Sequence, residues 1–485
     1  MSDLATTSAS DLASAYRTGA LSPVDVLQAV LNRLEKVEPF INAFAHIDRE
    51  GAFAAARASE ARFSSKCELG PLDGVPVSVK DMLLTVGMPT RKGSLTTSAT
   101  APNDVDAPSV ARVRSQGGVL YGKSTTTEFG GSPYSSSPLT GDTRSPWNLG
   151  FGCSGSSMGA AAHLAAGVGT LALANDAAGS IRMPASFGGC FGIKPSFGVV
   201  ATWPASAAGI LGHTGPMGWS VEEVGQLLSA MAGPDPRDPY SLPRLDTIFA
   251  ASPEVGVAGL RVAYSPGLGV RDPEVEVRAS TDAAAQTFAE LGAHVEEANP
   301  DLSGLFEAYD CLRICNRAAA YRASGAGQKR SKMDELVARV LDQATAYSTD
   351  DYIAALQMRE VLSARMRVFH QTYDVLLTPT MAVTPLPIGA GPGPDDAHWY
   401  QIDGQIWSPY TFAFNMTQQP AASIPCGLTD GRGQAPAGLP IGLQIVAAPF
   451  RDDLVLRASR AFEASRLWSR PAFPFPSSAP TMGKA

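Results

Sequence analysis

Short apolar runs rich in β-branched residues alternate with segments of helical periodicity along most of this chain, and that alternation points to an α/β fold with a partly parallel sheet. Val75–Val79, Gly118–Gly122, Leu171–Ala174, Leu260–Tyr264 and Tyr373–Thr380 read as strands. Between them, residues 22–38, 50–62, 106–117, 158–166, 273–292, 304–323 and 331–370 carry helical patterns. The first of these begins on Ser22 as N-cap, with Pro23 in the first turn and Asp25 completing an S-x-x-D capping box. Gly233–Pro239 is a stiff connector, the Pro/Gly-rich residues 384–394 form a surface loop, and the polar residues 471–485 are expected to be a poorly ordered tail.

The formal net charge of −8 and the absence of any Lys/Arg run exclude a nucleic-acid footprint. No apolar stretch reaches the roughly 18–20 residues of a spanning helix, so no membrane partner is expected. The N-terminus has no basic segment followed by an apolar core, and the expected location is cytoplasmic. The six cysteines are scattered with no CxxC pair, which suits reduced thiols better than disulfides or zinc; no metal or cofactor is expected.

Three polar residues stand out from this background. Lys80 closes the apolar run Val75–Val79. Ser156 lies in the glycine- and serine-rich stretch Gly152–Gly159, which leads into Ala160-Ala161-Ala162. Ser180 ends Asn175-Asp176-Ala177-Ala178-Gly179-Ser180. The spacings are 156 − 80 = 76 and 180 − 156 = 24 residues. Singly, each has a plain reading: a lysine capping a strand, a flexible loop, and a serine N-cap. Together they offer chemistry, because a serine hydroxyl needs a base and a Lys–Ser relay supplies one without histidine.

In order and spacing, the three blocks resemble their counterparts in the amidase signature family of serine hydrolases. Ser145–Asn148, Gly192–Pro195, Asp374–Pro379, Gln419–Pro425 and Pro440–Gln444 resemble that family as well, so the likeness runs from about residue 10 to 465. It implies an amidase signature fold: an α/β domain over 1–470 with a large mixed β-sheet core covered by helices on both faces. Within it the catalytic core would span 70–230, with a variable helical region over 233–370. It implies Ser180 as nucleophile, Ser156 as relay after a cis Gly155–Ser156 peptide, and Lys80 as terminal base. Lys80 would then have to be neutral, against a usual pKa near ~10.4; burial beside Val77, Val79 and Met82, helped by a nearby cation, would depress it. The N–H groups of Ala177, Ala178, Gly179 and Ser180 would form the oxyanion hole, with Ala178 where the family usually has a second glycine. Asp176 and Arg182 would orient the turn, and His163 reads as a packed histidine.

The block around Ser180 resembles the branch of the family acting on 6-aminohexanoate cyclic dimer and other non-peptide amides, which implies an apolar, aryl or non-peptide amide as substrate; carbamates and ureas stay open as well, because the same acyl transfer serves them. Phe129, Tyr134, Trp203, Cys315 and Trp407 are the candidate pocket residues. The expected partner is a small-molecule amide, with a homodimer left open. Three other readings compete. Gly155–Gly159 matches G-x-S-x-G and nominates Ser157 as an α/β-hydrolase nucleophile served by His213 or His370, although 150–155 does not read as a strand. A glutamine amidotransferase subunit would share the fold but need a partner protein. A silent scaffold would have no use for a lysine and two serines so placed.

Overall fold

The computed structural model describes residues 3–97, 101–243, 256–391, 396, 398, 400–402 and 405–471; the expected tail from 472 onward and residues 392–394 of the expected loop lie outside them. An eleven-stranded mixed sheet organises the chain. Its strands run in the order Phe44–Ile47, Val119–Ser124, Pro76–Lys80, Leu171–Asp176, His213–Gly218, Phe191–Lys194, Ala421–Leu428, Pro440–Ala447, Val375–Pro379, Arg261–Tyr264 and His294–Glu297. Pro76–Lys80 lies parallel to both Val119–Ser124 and Leu171–Asp176, while His213–Gly218 runs antiparallel to Leu171–Asp176. Strands from both ends of the sequence therefore share one sheet.

Strand alternation sorts side chains to two faces. Val77, Val79, Leu171, Leu173, Val375 and Leu377 enter one apolar layer together with Val110, Leu227, Phe288 and Val455 from helices. Ala172 and Ala174 face the opposite layer, with Leu27, Ala161 and Ala185 from other helices. The run Met158–Ala165 is small enough for its helix to press against this second face, where every residue of it is buried. Each fully buried Val, Leu or Ile contributes about 1.5–3 kcal/mol, so the two layers hold the sheet firmly enough to align its strand ends.

Several elements differ from the sequence reading. Ser22 does cap the helix Pro23–Ile41, but its Oγ accepts from Val24 and donates to Glu60, so no reciprocal box with Asp25 forms. The expected helix over 331–370 breaks into Glu335–Ala338, Val340–Gln343 and Thr349–Thr372. The break has a local cause: Ser348 and Asp351 form a true capping box, which restarts the helix there. The 233–370 region also supplies two sheet strands, of which His294–Glu297 had no clear signal. Asn148–Gly152 is a strand after all, though it lies apart from the main sheet, pairing with Arg144–Ser145 in a two-stranded ribbon and bridging Pro387 through Phe151.

Candidate active site

Pro76–Lys80 and Leu171–Asp176 are parallel neighbours, in register from Val77 with Leu171 to Val79 with Leu173. Their C-terminal ends therefore deliver Lys80 and Asn175-Asp176 to the same edge of the sheet, the edge where open α/β sheets place their ligands. The pleat sends Ser78 and Lys80 one way and Val77 and Val79 the other. Val77 and Val79 thus belong to the opposite core layer and are not what desolvates the amine, contrary to the sequence reading. Lys80 instead points at Ser156, with Nζ 2.7 Å from Oγ and 3.4 Å from the Asn175 carbonyl. Its side chain is fully buried.

Burial is the main force holding the Lys80 amine well below its usual pKa. The Asp176 carboxylate pulls it back up, and the Arg317 guanidinium pushes it down further. Arg317, from the helix Leu305–Ala323, is a nearby cation that adds to the effect of burial, as the sequence reading allowed. It donates to the carbonyls of Gly130 (2.9 Å) and Phe129 (3.4 Å). Gly130 in turn faces Ser156: a Cβ placed on it would lie 3.2 Å from the Ser156 hydroxyl.

Gly155–Ser156 is a cis peptide. A side chain at 155 would meet the Ser132 carbonyl and Thr127, so glycine is required there by close approach. Ser156 is buried, and its carbonyl accepts from Thr127 N–H at 3.4 Å. Ser157 N–H donates to the Ser180 carbonyl at 3.3 Å, which sets the two serine segments side by side. Lys80 and Ser156 are in hydrogen-bond contact; the Ser180 hydroxyl, 8% exposed as a residue, is hydrogen-bonded to neither among the described residues.

The turn ahead of Ser180 is held by a buried polar cluster. Asp176 Oδ1 accepts from Gly179 N–H (2.7 Å), Arg182 (2.9 Å) and Asn415 (2.9 Å), while Oδ2 accepts from Ile181 N–H (3.1 Å) and Arg182 (3.0 Å). Burial alone would raise this carboxyl, but Arg182, Asn415 and Lys194 together hold it below the usual carboxylate range. Arg182 also donates to the Thr411 carbonyl, Gln444 and Asn415. Gly179 has φ +121°, and a side chain on it would collide with Thr411. The expected four-donor oxyanion hole needs one correction: the Gly179 N–H is already committed to Asp176. Those of Ala177, Ala178 and Ser180 have no protein acceptor among the described residues.

Of the candidate pocket residues, Phe129 and Trp203 line a cavity of about 520 Å³ that also touches Met82, Asn175 and His213. Tyr134 lines a separate cavity of about 130 Å³ and packs on Trp407, with ring centroids 5.5 Å apart. Cys315 is half-buried beside an apolar cluster, away from both cavities. His163 gives its Nδ1–H to the Val168 carbonyl and accepts from Ser78, and burial lowers its pKa to about 4. Ser157 Oγ is buried without a partner, whereas His213 bonds the Leu211 carbonyl and His370 bonds Tyr373 and Gln419. Neither histidine serves Ser157. Among the described residues no cluster of His, Cys, Asp and Glu could hold a metal, and no helix is long and apolar enough to cross a membrane.

Sequence reasoning missed Arg317, Thr411 and Asn415. Asn415 carried a faint signal, a lone amide inside the apolar run Phe412–Met416; Arg317 carried none, because nothing local marks which helical arginine turns inward.

The family model described as Amidase matches residues 25–456. An acylamidase of Rhodococcus erythropolis is 34% identical over 467 residues, covering 95% of this chain and 96% of that one. A glutamyl-tRNA(Gln) amidotransferase subunit from Symbiobacterium thermophilum is 33% identical, covering 94% of this chain and 96% of that protein. Among solved structures, that of 6-aminohexanoate cyclic dimer hydrolase superposes with a TM-score of 0.87 at 28% identity, covering 98% of this chain and all of that one.

Proposed function

The chain belongs to the amidase family and is an amide-hydrolysing enzyme, and from that premise we propose that it acts through an acyl-enzyme on Ser180, with Ser156 as proton relay and Lys80 as base. The observation that carries this reading is the 2.7 Å contact between a fully buried, charge-disfavoured Lys80 amine and the Ser156 hydroxyl. A neutral amine accepts the proton of Ser156 as Ser156 takes that of Ser180, whose oxygen adds to the amide carbonyl. The oxyanion is met by the N–H groups of Ala177, Ala178 and Ser180. Ser156 then returns the proton to the departing amine, and water releases the acid. The Ser156–Ser180 hydrogen bond belongs to the substrate complex, as is common for catalytic contacts that are loose in the free enzyme.

The substrate class we propose is a non-peptide, largely apolar amide, in keeping with the Met82, Phe129, Trp203 and Tyr321 walls of the larger cavity. We read residues 1–470 as one catalytic domain, since strands before 130 and after 420 share a sheet. A second reading, ammonia supply to a partner protein, is favoured by the likeness to several amidotransferase subunits. Lys80→Arg tests the relay. Arginine keeps the positive charge and cannot yield its proton near neutrality, so the folded variant should lose about a hundredfold or more in kcat/KM. Near wild-type kcat/KM would remove Lys80 from the chemistry.

A further inference from the structure

The larger cavity carries one charge that the hydrolytic relay does not use. Among the described residues Lys92 is the only Lys or Arg in its lining, and no Asp or Glu joins it. His213 on the same wall is uncharged, because burial drives its imidazole well below the usual pKa. Lys92 is half-buried rather than sealed, and its ammonium has neither a hydrogen-bond nor an ion-pair partner among the described residues. Asp81 acts on it only through space: that carboxylate accepts from the N–H groups of Arg91 (3.0 Å) and Gly93 (3.4 Å), on either side of Lys92. Burial therefore lowers the Lys92 pKa, and Asp81 offsets only part of the effect. The position is also fixed. Lys92 has φ +55°, in the left-handed region that a lysine seldom adopts. Its N–H donates to the Asp81 carbonyl (3.0 Å) and its carbonyl accepts from the Phe129 N–H (2.8 Å). The backbone thus holds Lys92 between the residue after Lys80 and the Phe129–Gly130 segment that faces Ser156.

We propose that Lys92 determines specificity by binding a carboxylate on the leaving-amine half of the substrate, so that the amine released is an aromatic amino acid of the aminobenzoate kind. The charge argues for the anion. An ammonium on an apolar wall with no protein carboxylate to pair with is completed by one that the ligand brings, through a charge-assisted hydrogen bond. A neutral amide would leave it unpaired. The net charge of −8 repels anions at long range, so a preference for one has to arise locally. The walls argue for the ring: Met82, Leu83, Phe129, Trp203 and Tyr321 offer flat apolar surface in a volume of about 520 Å³. The side follows from what flanks Ser156. A Cβ placed on Gly130 would lie 3.2 Å from the Ser156 hydroxyl and 3.9 Å from the terminal methyl of Met82, which lines the cavity. Ser156 protonates the departing nitrogen, so the cavity beside it receives the leaving group. This rests on the relay proposed above.

The test reads binding in the Ser180→Ala protein, which under the relay cannot acylate, by calorimetric titration with acetanilide, 3-acetamidobenzoate and 4-acetamidobenzoate. One of the two carboxylates should bind about tenfold tighter than acetanilide, the size expected for one hydrogen bond between charged groups. Adding Lys92→Met keeps the apolar stem, removes the ammonium and should bring that ratio to about one. Lys92→Arg should preserve the preference, and Lys92→Glu should transfer it to the cationic 4-(aminomethyl)acetanilide. N-phenylsuccinamate carries its carboxylate on the acyl half and should gain nothing from Lys92; a Lys92-dependent gain there overturns the leaving-side assignment. Equal affinities, no binding of either carboxylate, or a preference that survives Lys92→Met overturns the subsite. The relay fails separately: acetate released from acetanilide by Ser180→Ala would remove Ser180 from the chemistry, whatever the affinities show.

Discussion

At the scale of single residues, everything turns on the charge of one amine. Lys80 is buried in a site whose strongest opposing influence is Asp176, itself committed to Arg182, so the carboxylate that could keep Lys80 protonated is shared away. In the proposed relay the neutral amine is the active form, and its pKa lies below the ordinary lysine value. Activity should therefore be full above the depressed pKa and fall as pH drops through it, giving an acidic limb in kcat/KM. Arg317 adds to that depression, and Arg317→Met removes a cation, which raises the Lys80 pKa and moves the limb to higher pH. A pH–rate profile of the two proteins checks the direction; a limb that stays put would leave Arg317 a packing residue. The sequence made Lys80, Ser156 and Ser180 legible because each sits in a short block of its own. It could not reveal Arg317 or Asn415, whose roles depend on helices returning from more than a hundred residues away.

At the scale of elements, the Asp176–Ser180 turn is shaped less by its own sequence than by what locks it. Bidentate pairing of Asp176 with Arg182 joins the end of a strand to the start of a helix, and Asn415 and Gln444 tie both to the other half of the sheet. Both charges are fully buried, so Arg182→Met leaves a carboxylate without its counter-ion. Its loss should cost about 3–5 kcal/mol, read as a fall in the urea midpoint, and should abolish turnover as well. Unchanged stability would mean that the pair is dispensable. The strands were readable where β-branched residues alternate, as in Pro76–Lys80. His294–Glu297 was hidden because an edge strand mostly open to solvent has no apolar face to show. The break before Thr349 was missed for a different reason: helical periodicity persists across it, and only the Ser348–Asp351 cap marks the restart.

At the scale of the whole molecule, one sheet brings Lys80 from its first half together with Gln444 from its last, so the site exists only when both halves are folded. The layered α/β architecture was legible from alternation alone, whereas the strand order was not, since pairing such as Phe191–Lys194 with Ala421–Leu428 spans more than two hundred residues. Under the proposed function the chain hydrolyses an amide without a second protein, whereas the reading as an ammonia-donating subunit requires one. The purified chain should thus turn over a simple anilide unaided. The most direct test is to quench that reaction during the first turnovers and map the acyl group by peptide mass. The account predicts the acyl mass on the peptide containing Ser180 in wild type and its absence in Ser180→Ala; an acyl group on Ser157 or a cysteine, or hydrolysis that persists in Ser180→Ala, would contradict it.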